Sequence, residues 1–325
     1  MKKDEKSSFL SFYNRFGILF ILIGLIVICA IASPVFLSSA NIVNLLSQIA
    51  VVTIISCGIT LLIIAGQTDL SGGSIVALTG CVCVGTFKDL AEGGMGDFPA
   101  GIIAVLAAML IGMIVNGLSG LIIAKFRAPA FIVTLAMMQA GRGACYLYTG
   151  GLPIYGIGNI SRLGQGRIGG ILPISVIIMT GVIIAAYIVL NKMRLGRHLY
   201  AVGGNEDAAK ASGVNVGMTL IKAFLIHGAM IGLAGVLFMT RLNSGQPAEA
   251  SGLEFDAITA AIIGGASLAG GVGTIPGTIV GSVIIGIISN ILTLKSVQSY
   301  YQMVITGFII VLAVILDIKT KGKKE

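Results

Sequence analysis

Charge is scarce in this chain. Asp, Glu, Lys and Arg make up 10% of its 325 residues and hydrophobic residues 56%, whereas soluble domains carry about 25% charge. So little charge excludes a soluble globule, and a bilayer must serve as much of the solvent. Histidine is nearly absent, and His198 and His227 are too few and too far apart for a metal site. No Cys-x-x-Cys pair occurs. The five cysteines (Cys29, Cys57, Cys81, Cys83, Cys145) lie in apolar stretches and read as buried reduced thiols. There is no Gly-x-x-x-x-Gly-Lys-Ser/Thr, no His-Glu-x-x-His and no nucleophile elbow. The chain therefore carries no Walker-type ATP site, no bound cofactor is expected, and it is not expected to be an enzyme. Gly164-Gln-Gly-Arg-Ile-Gly169 spells a dinucleotide loop but follows no strand, so it is not read as a nucleotide site. Ionisable groups at mid-membrane depth are few, Arg142 and His227 being the main exceptions, and this argues against an ion-coupled carrier.

Long apolar runs are what the chain has in place of these things. A spanning helix needs about 20 mostly apolar residues. Clear runs cover 17–36, 46–66, 99–124, 171–190, 219–240, 275–294 and 301–318. Shorter or more polar runs cover 73–88, 129–149 and 255–270, and are expected inside the bundle. The reading is an all-α polytopic membrane protein with about ten transmembrane helices. Glycine, at 46 residues, is about double its usual 7% share. Gly228-x-x-x-Gly232 and Gly273-x-x-x-Gly277-x-x-x-Gly281 place small residues in stripes where helices pack closely.

The net charge of +8 does not point to nucleic acid, because the basic residues sit between apolar runs as topology signals. With the N-terminus inside, the inner segments hold Lys2, Lys3, Lys6, Arg15, Lys125, Arg127, Lys192, Arg194, Arg197, Lys210, Lys222, Lys319, Lys321, Lys323 and Lys324. The outer segments hold Lys88, Arg162, Arg167, Arg241 and Lys295. Ten spans put both termini in the cytoplasm. The organisation expected is a cytoplasmic segment 1–16, a transmembrane domain 17–318 with a cytoplasmic loop 191–218, and a basic tail 319–325. The first span reads as retained rather than as a signal peptide.

Two features lie on the inner side. In the loop, Gly203-Gly204 breaks the chain, Asn205 is placed to cap, and Glu206 and Asp207 follow in a first turn where acids suit the helix dipole. Ala208, Ala209 and Ala211 favour helix, while Ser212-Gly213 ends it. The spacing predicts a short capped docking helix. The second feature is the turn Gly66–Ser74, in which Asp69 sits among small residues at the membrane edge. Asp69 is either a functional ionisable group or a cap for the next span, with Ser71 and the glycines making a tight turn. Gly66-Gln-Thr-Asp-Leu-Ser-Gly-Gly73 is similar to Gly265-Ala-Ser-Leu-Ala-Gly-Gly271, a faint internal repeat.

Several of these segments resemble sugar-importer permeases of the ribose type. They are Asp69-Leu-Ser-x-Gly-Ser74 with Ala77-Leu-Thr-Gly80, Gly196-Arg-x-x-Tyr-Ala-Val-Gly-Gly-Asn205 continuing to Ser212-Gly213, Gln246-Pro247, Asp256-Ala-Ile258, Gly264-Gly-x-Ser-Leu-Ala-Gly-Gly271 and Ser299-Tyr-Tyr-Gln302. The resemblance runs from about Gly17 to Asp317. It implies the fold of a permease of an ATP-binding-cassette (ABC) importer in the inner membrane, in contact with lipid and paired most simply as a homodimer. It implies two cytoplasmic ATPase subunits that hold the ATP and Mg, and an extracytoplasmic binding protein that delivers the sugar. Its docking helix falls on Gly204, Asn205, Glu206, Asp207, Ala208, Ala209, Ser212 and Gly213. Its cytoplasmic turns fall on Asp69, Leu70, Ser71, Gly73 and Ser74, and on Gly265, Ser267, Gly270 and Gly271. The alternative by composition is an ion-coupled secondary sugar transporter.

Overall fold

A computed structural model describes residues 2–321, with side chains from 17 to 315. The expected basic segment 1–16 and tail 319–325 lie outside the described side chains. Ordered along the chain, the helices are α1 (Lys2–Ala32), α2 (Ser39–Ile64), α3 (Gly72–Glu92), α4 (Asp97–Phe126) and α5 (Ala130–Thr149). A short 3-10 turn (Gly158–Ser161), α6 (Arg162–Gln165) and a two-residue hairpin of β1 (Arg167–Ile168) and β2 (Leu172–Pro173) follow. Then come α7 (Ile174–Asn191), α8 (Arg194–Gly204), α9 (Glu206–Ala211), α10 (Val216–Leu242), α11 (Leu253–Ile263), α12 (Ile275–Leu294) and α13 (Ser299–Lys321).

Among the described residues, α2, α3, α4, α5, α7, α10 and α12 are each long and apolar enough to cross a membrane. The chain is thus a multi-pass, all-α membrane protein. Gly17–Ala32 of α1 and Ser299–Ile315 of α13 are apolar but shorter. The run expected to span at 255–270 is instead the 11-residue helix α11, about 16 Å long and roughly half the hydrocarbon thickness.

Burial sorts the helices. In α2, 94% of the apolar window is enclosed, and it packs on α10, α12, α11 and α7, so it is the hub. By contrast α4 turns Leu106, Leu110, Ile114, Leu118 and Leu121 outward, a stripe suited to lipid tails. Its other face packs on α10 through the small residues the sequence singles out. A side chain at Gly228 would meet the Gly112 carbonyl, and one at Gly232 would meet the backbone of Ala108 and Met109. The second glycine stripe works the same way, setting Gly277 on Gly264 and Gly281 on Ala260 between α12 and α11.

Two segments between helices turn back into the bundle. After α2 ends, residues 66–71 climb until Gly72 lies beside Ile55, nine residues and about 13 Å back along α2. At the opposite end, the chain leaves α10 and descends along α3. Gly245 lies against Cys81 and Val84, and Ala250 lies against Gly73, a descent of about 12–16 Å. Helices α3 and α11 therefore both begin in the interior, with their N-termini facing each other. The arrangement is a long helix, a re-entrant strap and an interior helix start, used twice with opposite directions. This pairs strap 66–71 with strap 243–252, whereas the sequence repeat pairs 66–73 with 265–271. Exposed irregular backbone is not tolerated in hydrocarbon; the first strap buries Asp69 and Ser71, while the second buries Ser244, Gly245, Pro247 and Ala250 and leaves Asn243, Ala248, Glu249 and Ser251 exposed.

Candidate functional site

The facing N-termini of α3 and α11 are each matched by an acid. Asp69 is fully buried. Its Oδ1 accepts from the backbone N–H of Ser71 at 2.7 Å and from the Ser71 hydroxyl at 2.6 Å. Its Oδ2 lies 3.0 Å from Nε2 of His227, also fully buried. His227 is eleven residues into α10, about 16 Å from its start, so Asp69 belongs to the bundle interior and not to the membrane edge. Nor does Asp69 cap α3 directly: the helix begins after Ser71, whose side chain makes no cap bond. Nδ1 of His227 has no partner and faces Gly58, where a Cβ would collide with it. A neutral ring protonated at Nε2 fits best, since it leaves only a lone pair unmet, where a charged ring would leave a buried N–H donor.

Glu254 completes the centre. It is 4% exposed. Its Oε2 accepts from the N–H of Gly73 at 3.1 Å and its Oε1 from that of Gly252 at 3.3 Å. One carboxylate thus binds orphan donors at the starts of both interior helices, where the helix dipole favours negative charge. Gly73 has to be glycine, because a Cβ would run into the Ala250 carbonyl oxygen and Glu254 Oε2. The descending strap is held from outside by Arg142 on α5, whose guanidinium donates to the carbonyls of Pro247 at 2.5 Å and Glu249 at 2.8 Å. The sequence argument that ionisable groups are scarce at depth undercounted, since Asp69 and Glu254 join His227 there. Glu254 was missed outright. Its signal was two acids in the first turn after Gly252, on a run too short to span.

The expected docking helix is α9. The Asn205 side chain caps it by accepting from the N–H of Ala208 at 2.9 Å. Lys210 pairs with Glu206 at 2.5 Å and Asp207 at 3.8 Å. Ser212 N–H bonds the Ala208 carbonyl, and Gly213 leaves the helix at φ +83°. One correction applies. Gly203 and Gly204 do not break the chain but form the last turn of α8, and the break falls at Asn205, whose backbone is extended (φ −160°, ψ 107°). Ala209 is buried while Gly204 to Ala208, Lys210 and Ser212 are exposed, so α9 is anchored by one face and open on the rest.

The second glycine turn lies under this element. Gly271 N–H donates to the Ile64 carbonyl at the end of α2 at 2.9 Å. Gly270 packs on the backbone of Gly203, and a side chain at Gly203 would collide with the Ile64 carbonyl. The Tyr200 hydroxyl donates to the Gly273 carbonyl at 2.6 Å, and burial raises its phenol above the usual range, which keeps the donor protonated. Ser267 is buried, Gly265 exposed. The first turn comes to the same place. Gly66, Gln67 and Thr68 line an open cleft of about 890 Å³ together with Glu206, Lys210 and Leu268, while Leu70, Ser71, Gly73 and Ser74 continue into the interior. Three separately predicted segments thus form one surface, joined to the buried Asp69 by a single residue step from Thr68.

No group of three or more His, Cys, Asp or Glu among the described residues is arranged to hold a metal ion.

No solved structure matches the chain. Residues 41–314 match the family described as branched-chain amino acid transport system / permease component. The ribose import permease protein of Escherichia coli (strain K12) is 42% identical over 306 residues, 92% of each chain. That of Bacillus subtilis (strain 168) is 38% identical over 298 residues, 91% of this chain and 90% of the other. The galactose/methyl galactoside import permease protein of Escherichia coli (strain K12) is 35% identical over the full length of both. These relatives set aside the ion-coupled carrier, and the chain belongs to the family of permease components that Escherichia coli and Bacillus subtilis use for import.

Proposed function

We propose that the chain is the membrane subunit of an ATP-binding-cassette importer for a ribose-like monosaccharide. The matched family is described by branched-chain amino acids, but relatives 35–42% identical over 90% or more of their length import ribose or galactose. The substrate reading follows the relatives. In this reading two copies pair in the inner membrane with both termini cytoplasmic, a cytoplasmic ATPase docks on each, and a binding protein delivers the sugar from outside. ATP and Mg sit on the ATPase.

One observation carries the docking assignment: α9 is a capped helix, exposed on most of its surface, and it follows directly on α8, whose Gly203 meets the end of α2 beside Gly271. A partner that moves α9 pushes on the hub helix and on the strap that ends at Asp69. Energy reaches the passage as a difference in affinity between two states of the permease.

The test is affinity purification from mild detergent. An ATPase subunit recovered in stoichiometric amount, and lost when residues 205–213 are scrambled, is the expected result. Recovery of the chain alone in several mild detergents, or normal uptake by the scrambled variant, refutes the assignment.

A further inference from the structure

A second, smaller cavity lies between α2, α10, α11 and α12, with a volume of about 70 Å³. Its wall carries Gln48, Phe238, Arg241, Asp256 and Ser289 among aliphatic side chains. Asp256 is in the first turn of α11, which begins in the bundle interior. Arg241 is next to the last residue of α10, and Gln48 lies in the half of α2 away from α9. The cavity therefore runs from the centre toward the end of the bundle opposite the docking surface, where the proposed binding protein delivers.

Among the described residues, the side chains of Arg241 and Asp256 have no hydrogen bond or ion pair, although both are partly buried. Taking a charge out of water costs several kcal/mol unless a partner offsets it. The ends of their own helices offset part of it, since Asp256 lies in the first turn of α11 and Arg241 in the last turn of α10, but no side chain among the described residues pairs with either, whereas Asp69, Glu254 and Arg142 all have partners. Charged groups inside a membrane bundle mark substrate paths, and these two face one cavity from different helices.

The lining also selects the chemistry of what enters. Both signs of charge are present, which disfavours a simple cation or anion. Four of the ten lining residues are polar (Gln48, Arg241, Asp256 and Ser289) and the rest are apolar or glycine, so the wall offers hydrogen bonds set among apolar surface. A neutral polyol matches this chemistry: a hydroxyl can donate to Asp256 and accept from Arg241, and the Gln48 amide and Ser289 hydroxyl can do both.

We infer that this cavity is a sugar-binding station on the passage, with Asp256 and Arg241 gripping hydroxyls from opposite sides. The inference rests on the permease reading above. At about 70 Å³, the space holds a few waters at roughly 10–15 Å³ each and not a monosaccharide. The station thus admits sugar only when α2 and α12 part from α10 and α11 during the cycle.

The experiment uses proteoliposomes holding the permease with its co-purifying ATPase and binding protein. Uptake of labelled D-ribose, D-galactose and L-leucine is followed beside ATP hydrolysis. Asp256→Asn keeps the shape and removes the charge. It is expected to lower sugar uptake about tenfold while ATP hydrolysis stays within about twofold, because a hydrogen bond to a charged group is lost at the substrate alone. Ser289→Ala, expected to lower uptake about threefold, decides the matter if Asp256→Asn does not accumulate. Uptake and hydrolysis that fall together, or that both stay unchanged, overturn the station and leave the permease reading standing. Wild-type uptake of leucine and of neither sugar overturns the sugar reading, and the station with it.

Discussion

Nε2 of His227 lies 3.0 Å from Oδ2 of Asp69, joining the middle of α10 to a strap 158 residues earlier in the chain. Both residues are fully buried. The pair fixes the depth of the strap, and the strap fixes where α3 starts. With the bond from Gly73 N–H to Glu254, this contact between distant segments ties α10, α3 and α11 together at the centre.

Removing one partner leaves the other buried and uncompensated. His227→Ala strands the Asp69 carboxylate and is expected to cost about 3–5 kcal/mol, while Asp69→Ala strands the N–H of a neutral ring and is expected to cost about 1–3 kcal/mol. The double variant should cost clearly less than the sum, with a coupling of about 0.5–3 kcal/mol. Thermal or denaturant unfolding in detergent measures all three. Additive losses would show that the pair does not act as a unit.

Gly73→Ala places a methyl group against the Ala250 carbonyl and the Glu254 carboxylate, neither of which has free space. Accumulation in the membrane should fall sharply, with a loss of about 1–3 kcal/mol from overpacking and more from the broken Glu254 bond. Gly143→Ala is the contrast. Nothing lies within 4 Å of that site, so it should be neutral or gain about 0.5–1 kcal/mol of helix stability. Equal behaviour of the two variants would refute the close approach at the centre.

Arg142 holds the descending strap through two carbonyls. Arg142→Ala should loosen residues 243–252 and raise their cleavage by an added protease at least several-fold. Arg142→Lys should restore only part of the protection, since both bonds come from Nη1 and the shorter lysine side chain does not carry its ammonium that far. Protection unchanged in Arg142→Ala would mean the strap is held by packing alone.

Asn205→Ala removes the cap of α9, and about 1 kcal/mol of local stability goes with it. Lys210→Ala breaks ion pairs that are largely solvent-exposed, worth less than about 1 kcal/mol. Recovery of the ATPase in detergent should therefore weaken with Asn205→Ala, while membrane insertion and thermal midpoint of the bundle stay as in the parent. An ATPase retained undiminished by Asn205→Ala would show that docking does not need the capped form.

The sequence showed what is locally encoded. The cap at Asn205, the acids behind it and the exit at Gly213 are specified within nine residues, so α9 was legible to within a residue. The helix α2 was legible because an unbroken apolar run has few other fates. The length of α11 was missed although its stop is marked: Gly264 and Gly265 directly follow Ile263, with Gly265 at φ +90°, but the apolar run resumes beyond them. Asp69 among Gly66, Gln67 and Thr68 reads like any surface turn. Its burial depends on His227, and a contact 158 residues away leaves no local mark. The unpaired Arg241 and Asp256 were hidden for a related reason: Arg241 counted as an outer-segment charge and Asp256 opened an apolar run fifteen residues on, and only folding sets them on one cavity.

The straps also bear on how the protein is made. A ribosome adding about 5–20 residues per second needs roughly 8–30 seconds to go from Asp69 to His227, and longer to reach Glu254. Through that interval α2 and α3 have entered the membrane with a carboxylate between them whose Oδ2 still lacks its partner. The first third of the chain cannot close its own centre, so the early hairpin has to wait, sheltered or half-inserted, until α10 arrives.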